Sequence, residues 1–164
     1  MIIIRNLKKK DVSSIEDIFA LYWPDAEFRE RLSNRLNDTV NNAPDSIEQR
    51  LKYFVAEDDG QVVGATGFRK VPEHMREFTK TLNPAELYIL AVKNRGGGVG
   101  KLLVNRVLDE ITRLGYTEAV LYSGETHKDS WEFYDHLGFE VVGPATAPNG
   151  ELGQVWRMIT KLGV

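Results

Sequence analysis

The sequence predicts an α/β protein with a mixed sheet, and three observations carry that prediction. Apolar runs of period two alternate along the chain with amphipathic runs of helical period: one strand, a set of helices, three strands, then α-β-α-β-β. Two alternating runs, Phe54–Glu57 and Val62–Phe68, flank Asp58-Asp59-Gly60-Gln61, a hairpin signal of the Asp-Gly kind. Leu87–Val92, a long amphipathic helix and Thr117–Ser123 make a β-α-β crossover, which requires parallel neighbours in an otherwise hairpin-built sheet.

Taken in order, Ile2–Asn6 is a short strand. Asp11 or Ser13 caps a helix whose apolar positions are Ile15, Ile18, Phe19 and Tyr22, and Pro24 ends it. Ala26–Asn42 is largely polar with Phe28, Leu32, Leu36 and Val40 four apart, which predicts an exposed helix with a narrow apolar stripe. A further helix is expected over Ser46–Tyr53, capped at Asp45 or Ser46. The hairpin follows, then the strand Leu87–Val92. Val99, Leu102, Leu103, Arg106, Val107, Ile111 and Leu114 trace one helix face, with Gly115 at the position of a C-terminal stop. Thr117–Ser123 is a strand. Thr126 with Asp129 three residues on reads as a weak capping box for a helix ended by Gly138. Glu140–Val142 and Val155–Leu162 are the last strands, joined by a loop holding Pro144, Pro148 and Gly150. No repeat or second domain is visible, so residues 1–164 are expected to form one domain.

Composition narrows the function. With 164 residues and 42% hydrophobic side chains, the chain can bury a real core. A net charge of −3 argues against a nucleic-acid partner, and Lys8–Lys10 reads as a solvated loop. There are no cysteines, and His74, His127 and His136 have no ligand spacing, so no metal site is expected. No apolar run approaches ~18 residues, and Met1–Ile4 precedes the positive charges, the reverse of a secretory signal; a cytoplasmic protein with no membrane partner is expected.

The chemistry lies in Arg95-Gly96-Gly97-Gly98-Val99-Gly100, between a strand and a helix N-terminus, where unpaired backbone N–H groups and the positive end of the helix dipole converge on a phosphate. A nucleoside-triphosphate loop would need Gly at position 95 and Ser or Thr at 102, which hold Arg95 and Leu102. A dinucleotide fingerprint from Gly96 and Gly98 would need Gly or Ala where Lys101 stands. What remains, Arg-Gly-x-Gly-x-Gly after a strand ending in Val92, resembles the coenzyme A pyrophosphate loop of the GNAT superfamily of N-acetyltransferases. Ser130-Trp131-Glu132-Phe133-Tyr134-Asp135-His136-Leu137-Gly138-Phe139 resembles the same family's late Phe-Tyr…Gly-Phe segment, in the right order and spacing. Outside these two segments the likeness, over roughly Ile2 to Leu162, is one of pattern.

The resemblance implies a mixed, mostly antiparallel seven-stranded sheet flanked by helices and splayed between strands 4 and 5, where acetyl-CoA enters as co-substrate. It implies transfer of the acetyl group to a primary amine of a small molecule or peptide, whose identity the sequence leaves open; a homodimer is compatible with it. Backbone N–H groups of Leu90, Ala91 and Val92, freed by a bulge, would polarise the thioester. Arg95, Gly96, Gly97, Gly98, Val99, Gly100 and Lys101 would hold the pyrophosphate, with Arg106 a further phosphate candidate. Glu86, six residues before Val92, matches the general-base glutamate of histone-type members; facing a half-apolar cleft, its pKa would rise toward neutrality. A solvated strand-end glutamate is the competing reading. Tyr134 matches the family's general acid beside the thioester sulfur, against the alternative of a packed aromatic. His127 and Ser130 stand where the family has Asn and Ala near the pantetheine arm, which leaves the role of His127 open. The rival function is a non-catalytic acyl-CoA-binding or partner-binding domain on the same scaffold.

Overall fold

The computed structural model describes residues 1–163; Val164, the last residue of the expected 1–164 domain, lies outside them. A seven-stranded sheet runs in the order β1-β2-β3-β4-β5-β7-β6, where β1 is Ile2–Asn6, β2 Lys52–Asp58, β3 Gln61–Lys70, β4 Pro84–Val92, β5 Glu118–Gly124, β6 Glu140–Thr146 and β7 Leu152–Ile159. The β1–β2, β2–β3, β5–β7 and β6–β7 pairs are antiparallel. The β4–β5 pair is parallel, over Pro84–Glu86 against Glu118–Val120, as the crossover requires. Backbone contacts divide the described chain into two compact units: Met1–Arg69 with Tyr88–Val107, and Lys70–Leu87 with the chain from Leu108 onward.

The first unit holds three helices before the hairpin: α1 (Val12–Phe19), α2 (Ala26–Val40) and α3 (Pro44–Glu48). In α2 the polar sequence leaves little to bury except its stripe, and Leu32 and Leu36 are the two residues fully buried. Each contributes about 1.5–3 kcal/mol by leaving water, packed in one cluster with Ile15, Phe19, Tyr53, Val55, Ala65 and Ala91. Asp25 caps α2, its carboxylate accepting from the Glu27 and Phe28 N–H groups.

The helix expected over Ser46–Tyr53 is much shorter. Pro44 opens α3, which stops at Glu48, and Arg50 takes a left-handed φ of 54° that no helix tolerates. Tyr53 instead lies in β2, opposite Gly67, whose missing Cβ leaves the space that the Tyr53 ring fills. The hairpin turn is as expected, with positive φ at Asp59 and Gly60.

Asp11 stands at the N-terminus of α1 without capping it. Its carboxylate takes both Arg5 guanidinium NH₂ groups at 2.8 Å and the Lys8 N–H at 2.8 Å, while Arg5 also reaches Glu57. Burial pushes the Asp11 carboxyl up, but the Arg5 and Lys8 hydrogen bonds outweigh it and hold the group below the ordinary carboxylate range. A depressed folded pKa stabilises the fold above the unfolded value and is lost as pH falls through the folded one. Asp11→Asn should therefore cost about 1–3 kcal/mol at neutral pH and flatten the loss of stability on acidification below pH ~4. Urea unfolding at several pH values checks this; an acid limb of unchanged steepness would mean that Asp11 does not carry it.

In the second unit, the end of α4 (Val99–Arg113) meets Gly115 at φ 93°, and the Tyr116 N–H closes on the Ile111 carbonyl, the expected glycine stop. Gly138, at φ 101°, ends α5 (Trp131–Leu137) in the same way. The last two strands shift relative to expectation: β6 runs on through Pro144 to Thr146, and β7 starts at Leu152 and ends at Ile159. As the terminal strand in the sheet order, β6 tolerates a proline that a central strand would not.

Candidate active site

In the first unit, the site is built on β4, the loop after it and the start of α4. Ile89 has φ 60° in the middle of β4. A β-branched residue in the left-handed region costs on the order of 1–3 kcal/mol and persists only where the surroundings impose it. Its consequence is an irregular alternation: Tyr88 and Ile89, consecutive residues, both pack against the cluster that contains Ala91. Immediately beyond come Leu90, Ala91 and Val92, the backbone expected to polarise a thioester. The strand end is held at both of its neighbours, since the Tyr22 hydroxyl donates to the Val92 carbonyl and the Lys93 N–H donates to the Val63 carbonyl at 2.7 Å.

The loop follows directly. Gly96 and Gly98 have φ of 85° and 81°, conformations that side chains other than glycine adopt at a cost. A Cβ added at Gly96, Gly97 or Gly98 would meet nothing within 4 Å, so the protein's own packing does not demand glycine here. The open side fits a group that approaches the backbone from outside. The first helical bond of α4 runs from the Leu102 N–H to the Gly98 carbonyl. The Val99, Gly100 and Lys101 N–H groups therefore precede the helical ladder and point out of the N-terminus of a 15-residue helix. The Arg95 guanidinium lies 5.3 Å from the Tyr22 ring centroid, and Lys101 is exposed. Arg106 lies 4.4 Å from the Phe54 ring centroid, half-buried on an aromatic face.

In the second unit, Glu86 lies on β4 opposite Val120 and is 5% exposed. The competing reading of a solvated strand-end glutamate is therefore not what the fold provides. The segment leading into this strand is pinned by a second buried carboxylate. Glu118, fully buried, accepts from the Lys80 and Thr81 N–H groups at 2.8–3.0 Å and from the Thr81 hydroxyl, with the Arg157 guanidinium 3.7 Å away. Arg157 in turn holds Glu140 at 2.7 Å, and its hydrogen bond keeps that carboxyl below the ordinary range.

Tyr134 is 8% exposed on α5, its ring among Phe133, Phe139 and Trp156 at centroid distances of 5.3, 6.1 and 6.2 Å. The ring therefore packs as the alternative reading of the residue expects. Ser130 stands at the N-cap of α5 without a side-chain capping bond, and His127 sits at a kink, φ −115° and ψ 28°, in the 3₁₀ segment Glu125–Ser130. The expected Thr126–Asp129 capping box does not form at α5, which starts at Trp131. Thr126 gives its N–H and hydroxyl to the Glu151 carboxylate instead. Nearby on β5, burial first and the Glu151 charge second push the Tyr122 phenol up to about 12, so it stays neutral across the physiological range.

Thus Leu90–Lys101 form one continuous feature, and His127, Ser130 and Tyr134 another. Sequence reasoning missed Ile89, Tyr22, Gly124 and Glu151. The apolar run through β4 gives no sign of a bulge, and the partners of the others lie far away in sequence. Among the described residues no group of three or more His, Asp or Glu could hold a metal ion, and no helix is long and apolar enough to cross a membrane.

Comparison with known proteins gives a consistent picture. Residues 12–139, more than half of the chain, match the model of the acetyltransferase (GNAT) family. N-acetyltransferase 8 of Rattus norvegicus is 32% identical over 93 residues, which is 56% of this chain and 40% of that protein. The chain thus spans about two fifths of the length of the N-acetyltransferase 8 relatives it matches. Among solved structures, a GNAT-family protein of Desulfovibrio desulfuricans superposes with a TM-score of 0.80 at 14% identity, covering 97% of this chain and 99% of that one. The PaiA N-acetyltransferase of Thermoplasma acidophilum, solved with coenzyme A, gives 0.65 at 18%, covering 94% and 98%.

Proposed function

Because this chain belongs to the acetyltransferase (GNAT) family, we propose that it transfers the acetyl group of acetyl-CoA to a primary amine, residues 1–164 acting as one catalytic domain. The observation that carries the reading is the run from Ile89 to Lys101. A strained left-handed residue breaks the strand just before the backbone that would face the thioester, and a loop with two positive-φ glycines leads into the N-terminus of a long helix.

In this reading the pyrophosphate of acetyl-CoA lies on the Arg95–Lys101 backbone, where the positive helix end and the Val99–Lys101 N–H groups ahead of the helical ladder favour an anion. His127 and Ser130 contact the pantetheine arm. The amine loses a proton to Glu86, directly or through a water, and its lone pair attacks the thioester carbonyl. Oxyanion charge is stabilised by N–H groups of Leu90–Val92. The C–S bond then breaks, the electron pair leaves on sulfur, Tyr134 supplies the proton that completes the coenzyme A thiol, and the extra proton on the new amide nitrogen is released to water, from which the phenol is restored. The amine comes from a small molecule or a peptide.

Gly98→Val tests the loop. A β-branched side chain is disfavoured at φ 81° and would stand in the space the pyrophosphate needs. Calorimetric titration should show acetyl-CoA affinity falling at least about tenfold, a loss of ~1.4 kcal/mol, with the fold intact by circular dichroism. A folded variant that binds as tightly as the wild type would remove the loop from the cofactor site.

A further inference from the structure

Glu151 lies in the β6–β7 turn, far in sequence from the segment assigned to the pantetheine arm, yet its carboxylate is the anchor of that segment. One oxygen, Oε1, accepts from the Thr126 hydroxyl at 2.6 Å and the Thr126 N–H at 3.3 Å. Thr126 is the residue before His127. The carboxylate reaches it because position 124 is glycine: a Cβ on Gly124 would lie 1.9 Å from Oε1 and 2.4 Å from Cδ. Glu151 is itself fixed on every backbone side. Its carbonyl accepts from the Tyr122 hydroxyl at 2.8 Å and from the Ala147 N–H at 2.8 Å, and its N–H donates to the Asn149 side chain at 3.0 Å.

The clamped segment needs such an anchor. It is six residues of 3₁₀ helix, a geometry with poorer hydrogen bonds than an α-helix. It is kinked at His127, and neither Ser130 nor a Thr126–Asp129 box caps the helix that follows. Thr126, within this segment, is thus tied to the β6–β7 turn through the Glu151 carboxylate.

We propose that Glu151 is a positioning residue for acetyl-CoA: it holds Thr126, and through it the kinked segment bearing His127 and Ser130, in the conformation that receives the pantetheine arm. The inference rests on the acetyltransferase reading above and extends it to a residue outside the cofactor site. It makes the turn between β6 and β7 part of the same rigid piece as the cofactor-arm segment, and it explains why position 124 is glycine although its φ of −71° needs none.

The test is a set of variants, Glu151→Ala, Glu151→Gln, Gly124→Ala and Gly124→Ala/Glu151→Ala, together with Thr126→Val, which keeps the side-chain volume and deletes the hydroxyl. Wild-type acetyl-CoA binding by calorimetry comes first and is independent of the variants: its absence would sink the acetyltransferase reading itself. Given that binding, Glu151→Ala should weaken acetyl-CoA affinity, and raise its KM, about fivefold or more, the scale of a partly exposed pair of hydrogen bonds to a carboxylate. The KM for the amine and kcat should change far less. Glu151→Gln, which keeps an acceptor oxygen in place, should fall between wild type and Glu151→Ala, and Thr126→Val should lose part of the same affinity. Gly124→Ala should resemble Glu151→Ala, because its methyl displaces the carboxylate, and adding it to Glu151→Ala should cost little more, since the obstructed group is gone. Acetyl-CoA affinity within twofold of wild type in folded Glu151→Ala, or a loss in Glu151→Gln larger than in Glu151→Ala, would overturn the proposal. So would fully additive losses from Gly124→Ala and Glu151→Ala.

Discussion

Tyr134→Phe slows acetyl transfer by ~10²–10⁴, the range of general-acid contributions, while acetyl-CoA still binds with wild-type affinity. The variant deletes one oxygen from a ring that stays among Phe133, Phe139 and Trp156, so the 8%-exposed aromatic packing survives. What is lost is the proton for the departing thiolate. The reference pKa of a phenol, ~10, lies only about 1.5 above that of a thiol, ~8.5, so the transfer is uphill by only about 2 kcal/mol and can accompany C–S cleavage. The deficit should shrink for acetyl thioesters of more acidic thiols, which leave without help. Stopped-flow or steady-state measurements under conditions where chemistry limits the rate decide it. Unchanged turnover there would make Tyr134 a packing residue only and leave solvent as the acid.

Glu86→Gln lowers turnover at neutral pH by about a hundredfold or more if the carboxylate is the base. The isosteric amide preserves side-chain volume at a site that is 5% exposed and removes the charge and with it the capacity to accept a proton. The wild-type rate should rise with pH through the ionisation of the base and then level, and the variant should lose that acidic limb. Thermal melting controls for a structural effect, because a polar group this buried also takes part in the fold. An acidic limb that survives Glu86→Gln unaltered, in a variant that melts like the wild type, would take Glu86 out of the mechanism.

What was legible in the sequence is what short-range physics encodes. The glycines at 96 and 98 are at positive φ, Gly115 and Gly138 stop their helices, Asp59-Gly60 turns the hairpin, and the β-α-β crossover gives the parallel β4–β5 pair. Each of these is a residue type demanded by its own backbone conformation or by a period of a few residues. The stripe of α2 is of the same kind, and it predicted the buried Leu32 and Leu36.

What stayed hidden rests on partners distant in the chain. The helix expected over Ser46–Tyr53 lost its second half because Tyr53 pairs with Gly67 in the sheet. Asp11 looked like a cap and serves Arg5, and Thr126 looked like half of a capping box and serves Glu151, 25 residues on. At Thr126 a charged partner 25 residues away replaces the local cap, and at Asp11 the Arg5 guanidinium adds to the local Lys8 bond in place of a cap on α1. The left-handed Ile89 is the clearest example. Nothing in Leu87-Tyr88-Ile89-Leu90-Ala91-Val92 marks a break, and only the resemblance to the family raised the expectation of a bulge. The strain resides in a residue whose type argues against it, as happens where the surrounding structure imposes a conformation for function.

The central claim is that the chain is an enzyme and not merely a domain that holds acyl-CoA. The most direct measurement is release of free coenzyme A thiol from acetyl-CoA in the presence of amines: amino acids, polyamines, aminoglycosides and peptides with free N-termini, with the acetylated product identified by mass spectrometry. The account predicts amine-dependent thiol release well above the rate of hydrolysis, stoichiometric with an acetylated amine and strongly reduced in Tyr134→Phe. Tight binding of acetyl-CoA with no amine in the panel raising thiol release above hydrolysis would contradict it and leave a non-catalytic acyl-CoA-binding domain.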